Sequence, residues 1–274
     1  MIDFDTTLIM RDDLPLFGKR ILFTTPRNYA GKLARLLVLR GALPIWMPTV
    51  VIEPMKDYTL FDGAIQNISS YDWLAFTSRN GIEAFFDRLE SLGLTQDVLG
   101  KTKLCALGND AAALEGRGIN ADLLPRVPTT RALVDGLADL GAGGGRILLP
   151  VPEVVGMDEP GVIPNLVTWL GEIGMIVDRV PAYTTTRVST GFAPELSMLL
   201  EAHIDVVAFT SAAEIESLLF LLGENRDILA RTLVACYGPV TAGGAAERDV
   251  SVQIVSEQFS VFEGFIEAME QYFS

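Results

Sequence analysis

The sequence predicts an α/β protein made of two similar parallel-sheet lobes, and three observations carry that reading. Short apolar runs alternate with amphipathic stretches along the chain, the pattern of successive β-α units. Residues 72–89, DWLAFTSRNGIEAFFDRL, nearly recur as DVVAFTSAAEIESLLFLL at residues 205–222. Shorter echoes flank both copies: RILLPVP (146–152) resembles KRILFTTPR (19–27), and KLCALGND (103–110) resembles TLVACYGP (232–239). Two amphipathic helices can look alike by chance; strand, turn and helix stripe recurring in one register indicate a duplicated architecture.

Each element has a local reason. ILFTT at 21–25 is apolar and β-branched, which favours a strand, and a helix follows over about 29–40. LPIWMPTVVIEP (43–54) is Pro-interrupted and extended. WLAF at 73–76 and VVAF at 206–209 are continuous apolar runs, as expected for parallel strands covered on both faces. After them, Ile82, Phe85, Phe86 and Leu89, and again Ile215, Leu218, Leu219 and Leu222, fall at i, i+3, i+4, i+7, one stripe of a helix. The segments at 103–110 and 232–239 each read as a strand that ends in glycine and turns into a helix. Residues 129–140 and 260–272 read as helices entered through Ser or Thr capping positions. MIVDRVPAYTTTRV (175–188) is a second extended, β-branched segment. It can pair with residues 43–54 as a two-stranded connector. The expected division is a discontinuous domain of residues 1–47 plus 188–274, a domain of residues 54–178 inserted in it, and connector strands at 48–53 and 179–187.

Composition removes several function classes. The chain has 274 residues, 49% apolar and 20% charged, enough for two domains each with its own core. A net charge of −14 argues against a nucleic-acid partner, because phosphate neutralisation needs clustered Lys and Arg. His203 is the single histidine, so a His-based metal site or a Ser-His-Asp triad lacks its parts. Cys105 and Cys236 each sit in an apolar run and are expected as buried thiols of a reducing compartment. GAGGGR (141–146) precedes a strand, the wrong order for a nucleotide-binding loop. No run approaches the ~20 apolar residues of a membrane helix. The N-terminus is acidic and lacks the basic start of a signal peptide. The expected location is therefore the cytoplasm, or the plastid stroma after loss of a transit peptide.

The ILxTxPR-like first strand, the D-x-x-x-FTS turn before a helix, the ALG turn, the V-x-x-Y-x-T connector, a second FTS turn, the GP-x-T turn and a final helix follow one another from Lys19 onward. In that order they resemble the uroporphyrinogen-III synthases. The resemblance implies two α/β lobes joined by a two-stranded ladder with the active site in the cleft. It implies a cofactor-free conversion of hydroxymethylbilane, a linear tetrapyrrole, to uroporphyrinogen III with inversion of the last pyrrole ring, carried out by a monomer. Tyr183 matches the connector tyrosine of the family, whose implied role is to help the hydroxyl depart; packing of the ladder is the competing reading.

The substrate carries eight carboxylates while the protein is acidic, so affinity has to come from local donors. In α/β lobes these are the helix N-termini at the carboxyl ends of the strands. Candidate binding residues there are Thr77, Ser78, Arg79 and Asn80 in the first FTS turn, Gly108 and Asn109 after the ALG strand, Thr210 and Ser211 in the second FTS turn, and Gly238 and Thr241 in the GP-x-T turn. Arg27, just past the first strand, can pair with a carboxylate. Helix capping competes for the Ser and Thr residues: Ser211-Ala-Ala-Glu214 has the form of a capping box, and Asn80-Gly-Ile-Glu83 a related form. Ala111 and Val240 stand where the family commonly has Thr, and EVVGMDEPG after Pro150 is acidic where the family usually carries arginines. A catalytically silent relative that binds a tetrapyrrole or a protein partner is the alternative those departures favour. A periplasmic-type binding protein shares the two-lobe plan and is disfavoured by the missing signal peptide.

Overall fold

The computed structural model describes residues 13–107, 111–259 and 261–274. The chain divides into two compact units, one of Met1–Val51 with Thr186–Ser274 and the other of Ile52–Thr185. The first begins with β1 (Arg20–Phe23), α1 (Arg27–Leu39) and β2 (Leu43–Trp46), after which β3 (Val50–Pro54) leads into the second unit. There follow α2 (Thr59–Gln66), β4 (Trp73–Phe76), α3 (Arg79–Ser91), β5 (Lys103–Ala106), α4 (Ala111–Glu115), α5 (Thr130–Asp139), β6 (Arg146–Val155), α6 (Val162–Glu172) and β7 (Ile176–Arg187). Back in the first unit lie α7 (Ala193–Leu200), β8 (Val206–Phe209), α8 (Ala212–Leu222), β9 (Leu233–Cys236), α9 (Pro239–Ala246), β10 (Ile254–Val255) and α10 (Phe262–Phe273).

Each unit is built on a five-stranded sheet. In the first the order is β10-β9-β8-β1-β2, with every neighbouring pair parallel. In the second it is β3-β7-β6-β4-β5, where β4 runs parallel to both β5 and β6. β1 and its sequence echo β6 belong to different sheets, as do β4 and its echo β8. β3 and β7 lie side by side, and the boundary between the units passes through both strands. Thr184 Oγ1 donates to the Glu53 carbonyl at 3.1 Å, and Val188 N–H to that of Thr49 at 2.9 Å.

The apolar runs are continuous because helices cover both sheet faces. Along β8, Val206 and Ala208 join the core under α1 and α10, while Val207 and Phe209 join the core under α8 and α9. β4 alternates likewise: Trp73 and Ala75 pack towards α5 and α6, Leu74 and Phe76 towards α2 and α3. Both helix stripes read from the sequence are buried. Burial of an Ile, Leu or Phe side chain contributes about 1.5–3 kcal/mol, so these stripes hold α3 and α8 against their sheets.

The duplication extends to strand-end hydrogen bonds. Asp205 Oδ2 accepts from Arg20 N–H at 2.7 Å, and Asp72 Oδ2 accepts from Arg146 N–H at 2.7 Å. Gln253 Oε1 accepts from Val234 N–H at 2.9 Å, and Asp122 Oδ2 from Leu104 N–H at 2.8 Å. The aspartate of the D-x-x-x-FTS motif is therefore a tie to the neighbouring strand.

Residues 43–54 form two strands separated at Met47–Thr49, in line with their Pro-interrupted pattern, since Pro48 has no N–H to donate. One local reading needs correction. The last helix has Val261 at its N-cap with no side-chain cap, and Ser260 lies outside the described residues. α5 does start from a capping threonine, Thr129, whose hydroxyl accepts from Ala132 N–H at 3.2 Å. No helix among the described residues is long and apolar enough to cross a membrane.

Candidate functional site

In the second unit the first FTS turn carries β4 into α3. Ser78 is extended (φ −158°) and is the N-cap of α3; its Oγ accepts from Gly81 N–H at 3.2 Å. The helix does not start at Asn80 as the related capping form suggested, and Glu83 pairs with Arg79 at 2.7 Å instead of turning back to the cap. Tyr183, on β7, is 7% exposed within the core that contains Phe76, Ile82 and Leu148. Its hydroxyl lies 3.0 Å from Ser78 Oγ. Two candidates chosen separately from the sequence thus form one hydroxyl pair at a helix N-terminus. A Cβ at Gly81 would stand 3.2 Å from the Pro150 carbonyl, so glycine here leaves room for the backbone of β6. Thr77 and Asn80 flank the pair and are half-buried, and Arg79 is exposed.

Ser78 Oγ accepts the Gly81 N–H and still has its own proton and a second lone pair, so either hydroxyl of the pair can donate to the other.

The second FTS turn, in the first unit, has the same backbone and a different interior. Ser211 is the N-cap of α8 and accepts from Glu214 N–H at 3.4 Å, as a capping box requires. The carboxylate does not return to Ser211 N–H. Glu214, 1% exposed, accepts from Thr24 Oγ1 at 2.7 Å, Thr210 N–H at 2.9 Å, Ser211 Oγ at 3.1 Å, and the Thr210 hydroxyl. Burial pushes its carboxyl up from the ordinary value of 4.5, against the lowering effect of these donors. Thr25 Oγ1 and Thr210 Oγ1 are 3.2 Å apart, Thr241 Oγ1 donates to the Thr210 carbonyl at 3.2 Å, and Thr49 Oγ1 to that of Glu214 at 3.1 Å. Sequence reasoning saw in Glu214 only a capping residue. The signal that could have found this cluster is the run of threonines at the ends of successive strands.

The remaining candidates are dispersed. Arg27 is exposed on the first turn of α1. Gly238 is the N-cap of α9, where Pro239 follows and no side chain caps the helix. Its φ of −174° is ordinary extended backbone, but a Cβ would fall 2.6 Å from Phe259 Cβ, so glycine is needed for space. Gly108 and Asn109 lie outside the described residues. Ala111 opens α4 and is buried, and Val240 is exposed. Both cysteines are free and buried, and burial pushes both thiols up, Cys236 to about 12. Among the described residues no group of three or more His, Cys, Asp or Glu could hold a metal ion. A groove of about 720 Å³ in the second unit, lined by Tyr71, Arg146 and Asp178, contains none of the candidates.

Comparison with known proteins adds the family. A model described as uroporphyrinogen-III synthase HemD matches residues 31–265. A porphyrin biosynthesis protein HemD of Ruminiclostridium josui is 30% identical over 249 residues, covering 90% of this chain and 47% of that protein; the chain spans about half the length of that relative. A uroporphyrinogen-III synthase of Synechococcus elongatus is 28% identical over 267 residues, 94% of this chain and 97% of the other. The solved structure of a mutant uroporphyrinogen III synthase from the extremely thermophilic bacterium Thermus thermophilus has the same fold, with a TM-score of 0.67 at 20% identity over 93% of this chain and 100% of that one. One from Helicobacter pylori 26695 has a TM-score of 0.53 at 14% identity over 93% and 99%. With the family model spanning most of its residues, the chain belongs to the uroporphyrinogen-III synthase family.

Proposed function

We propose that this protein converts hydroxymethylbilane to uroporphyrinogen III without a cofactor, inverting the last pyrrole ring. Its family membership supports a role in porphyrin biosynthesis as an enzyme of tetrapyrrole synthesis. The observation that carries the finer reading is the Ser78–Tyr183 hydroxyl pair, 3.0 Å apart at the N-terminus of α3.

In this reading Tyr183 donates its phenolic proton to the hydroxyl of the substrate's hydroxymethyl group. The C–O bond breaks, water leaves, and an azafulvene cation forms at that carbon. The phenolate left behind is held by the proton of Ser78 and by the positive end of the α3 dipole. The electrophilic carbon is attacked by the substituted carbon of the last pyrrole ring, giving a spiro intermediate that fragments and recloses with the ring turned over. The ring carbon that regains aromaticity loses a proton, which restores the phenol. Atoms balance as substrate giving product plus one water. Because the bilane closes spontaneously without inversion in water, the protein's main task is to impose geometry. Exposed Arg79 and the amides of the first FTS turn are proposed to take substrate carboxylates.

The test is incubation of purified protein with hydroxymethylbilane, followed by separation of the type I and type III isomers. Enrichment of isomer III is expected. Isomer I alone, at the spontaneous rate, would transfer the assignment to a silent relative that only binds a tetrapyrrole.

A further inference from the structure

After the shared Thr-Ser the two FTS turns differ at three positions, and only one of the differences adds a carboxylate. Aligning the repeat places Gly81 opposite Glu214, so the first turn has no internal carboxylate and the second has one that is buried. An ionised carboxylate has about four lone-pair sites. Here four donors fill them: Thr210 N–H and Thr24 Oγ1 on Oε2, Thr210 Oγ1 and Ser211 Oγ on Oε1. The neighbouring carboxylate on α8, Glu216, is taken up elsewhere, with Arg248 at 2.7 Å and Arg187 at 3.3 Å.

That shell sets the direction of every hydroxyl around it. The Thr210 proton is spent on Glu214, so in the 3.2 Å contact between Thr25 and Thr210 the donor is Thr25. Thr210 Oγ1 then keeps one lone pair and has no proton to offer. Thr25 and Thr24 are fully buried, whereas Thr210 is half-buried. A substrate carboxylate brought to this turn would meet a lone pair beside a buried negative charge. A pyrrole N–H would meet an acceptor.

We infer that Glu214 is a positioning residue that turns the hydroxyls of the second FTS turn inward, so that Thr210 accepts a hydrogen bond from a pyrrole N–H of the linear tetrapyrrole and does not bind its carboxylates. The assignment rests on the proposed reaction for its ligand.

The decisive variant is Glu214→Gln. Its amide oxygen has to occupy the Oε2 side, because Thr210 N–H is a donor that cannot reverse. The amide NH₂ then faces the Thr210 and Ser211 hydroxyls and forces both to accept. Measured as isomer III formation from hydroxymethylbilane, KM should rise about five- to tenfold, the size of one neutral hydrogen bond, with kcat changed less than about twofold. Thr210→Val should raise KM by a similar factor, Thr210→Ser should restore it, and the Glu214→Gln/Thr210→Val pair should be no worse than either single change. Wild-type KM in folded Glu214→Gln, or full additivity in the pair, would overturn the assignment. Neutron diffraction from the deuterated wild-type protein reads the directions without turnover: deuterium is expected from Thr25 towards Thr210 and from Thr210 towards Glu214, and a deuteron on the Glu214 carboxyl at neutral pH refutes it. Failure of wild type to form isomer III would refute the proposed function instead, and the deuterium positions would still judge Glu214.

Discussion

Replacing Tyr183 with Phe removes one oxygen and leaves the ring packed against Phe76, Ile82 and Leu148. The change removes the 3.0 Å bond to Ser78. Ser78 keeps its bond from the Gly81 N–H in the variant, so the helix cap survives. A neutral hydrogen bond contributes about 0.5–1.5 kcal/mol net. For a chain of this size that is a fall in Tm of about 2–4 °C per kcal/mol. The kinetic cost is separable and larger if the phenol is the proton donor. Positioned acid catalysis contributes about 10²–10⁴-fold, or about 2.7–5.4 kcal/mol of barrier at about 1.36 kcal/mol per tenfold. The assay is initial-rate formation of isomer III by purified Tyr183→Phe, with urea unfolding of the same preparation. A rate loss of a hundredfold or more with a stability loss near 1 kcal/mol is expected. Wild-type rate in this variant would refute the acid role and leave Tyr183 as a packing residue.

Other changes test the surrounding geometry. Ser78→Ala should slow isomer III formation by no more than about tenfold, near 1.4 kcal/mol, since turn amides remain, while loss of the cap lowers stability by about 0.5–2 kcal/mol in urea unfolding. Burial raises the native carboxyl of Glu214 from its ordinary 4.5, so just above that pH the folded state holds a proton that the unfolded chain has released. This group's stabilising contribution is complete below pH 4.5 and declines as pH rises through the raised native value. The stability of wild type relative to Glu214→Gln should therefore fall as pH rises across that window, and a flat difference would contradict burial of the carboxyl. Gly244→Ala should lower the urea midpoint by an amount worth about 1–3 kcal/mol, because the new methyl would lie 2.5 Å from Ala212 Cβ where α9 crosses α8. Gly238→Val should displace Phe259 and reduce isomer III formation about a hundredfold by moving the turn; an active, folded variant would show that the turn takes no part in binding.

The sequence by itself determined the fold class and the places of the repeated elements. Trp73–Phe76 and Val206–Phe209 could be bounded as strands because four consecutive apolar residues require both faces covered, and Ile82 to Leu89 and Ile215 to Leu222 as helices because their period is about 3.6. Those signals are local, carried within a few residues of each position. It also picked out Ser78 and Tyr183 as separate candidates, through turn position and resemblance. Their pairing was decided by tertiary structure: they are 105 positions apart, and only the sheet order that sets β7 beside β6, and β6 beside β4, brings the hydroxyls together. Glu214 shows the same limit more sharply. Four residues of context read as a capping box, whereas Thr24, which decides where the carboxylate points, arrives from the end of β1 across 190 positions. Periodicity records which face of an element is apolar. Hydrogen-bond partners depend on which strands become neighbours, and that is settled only when the whole sheet has assembled.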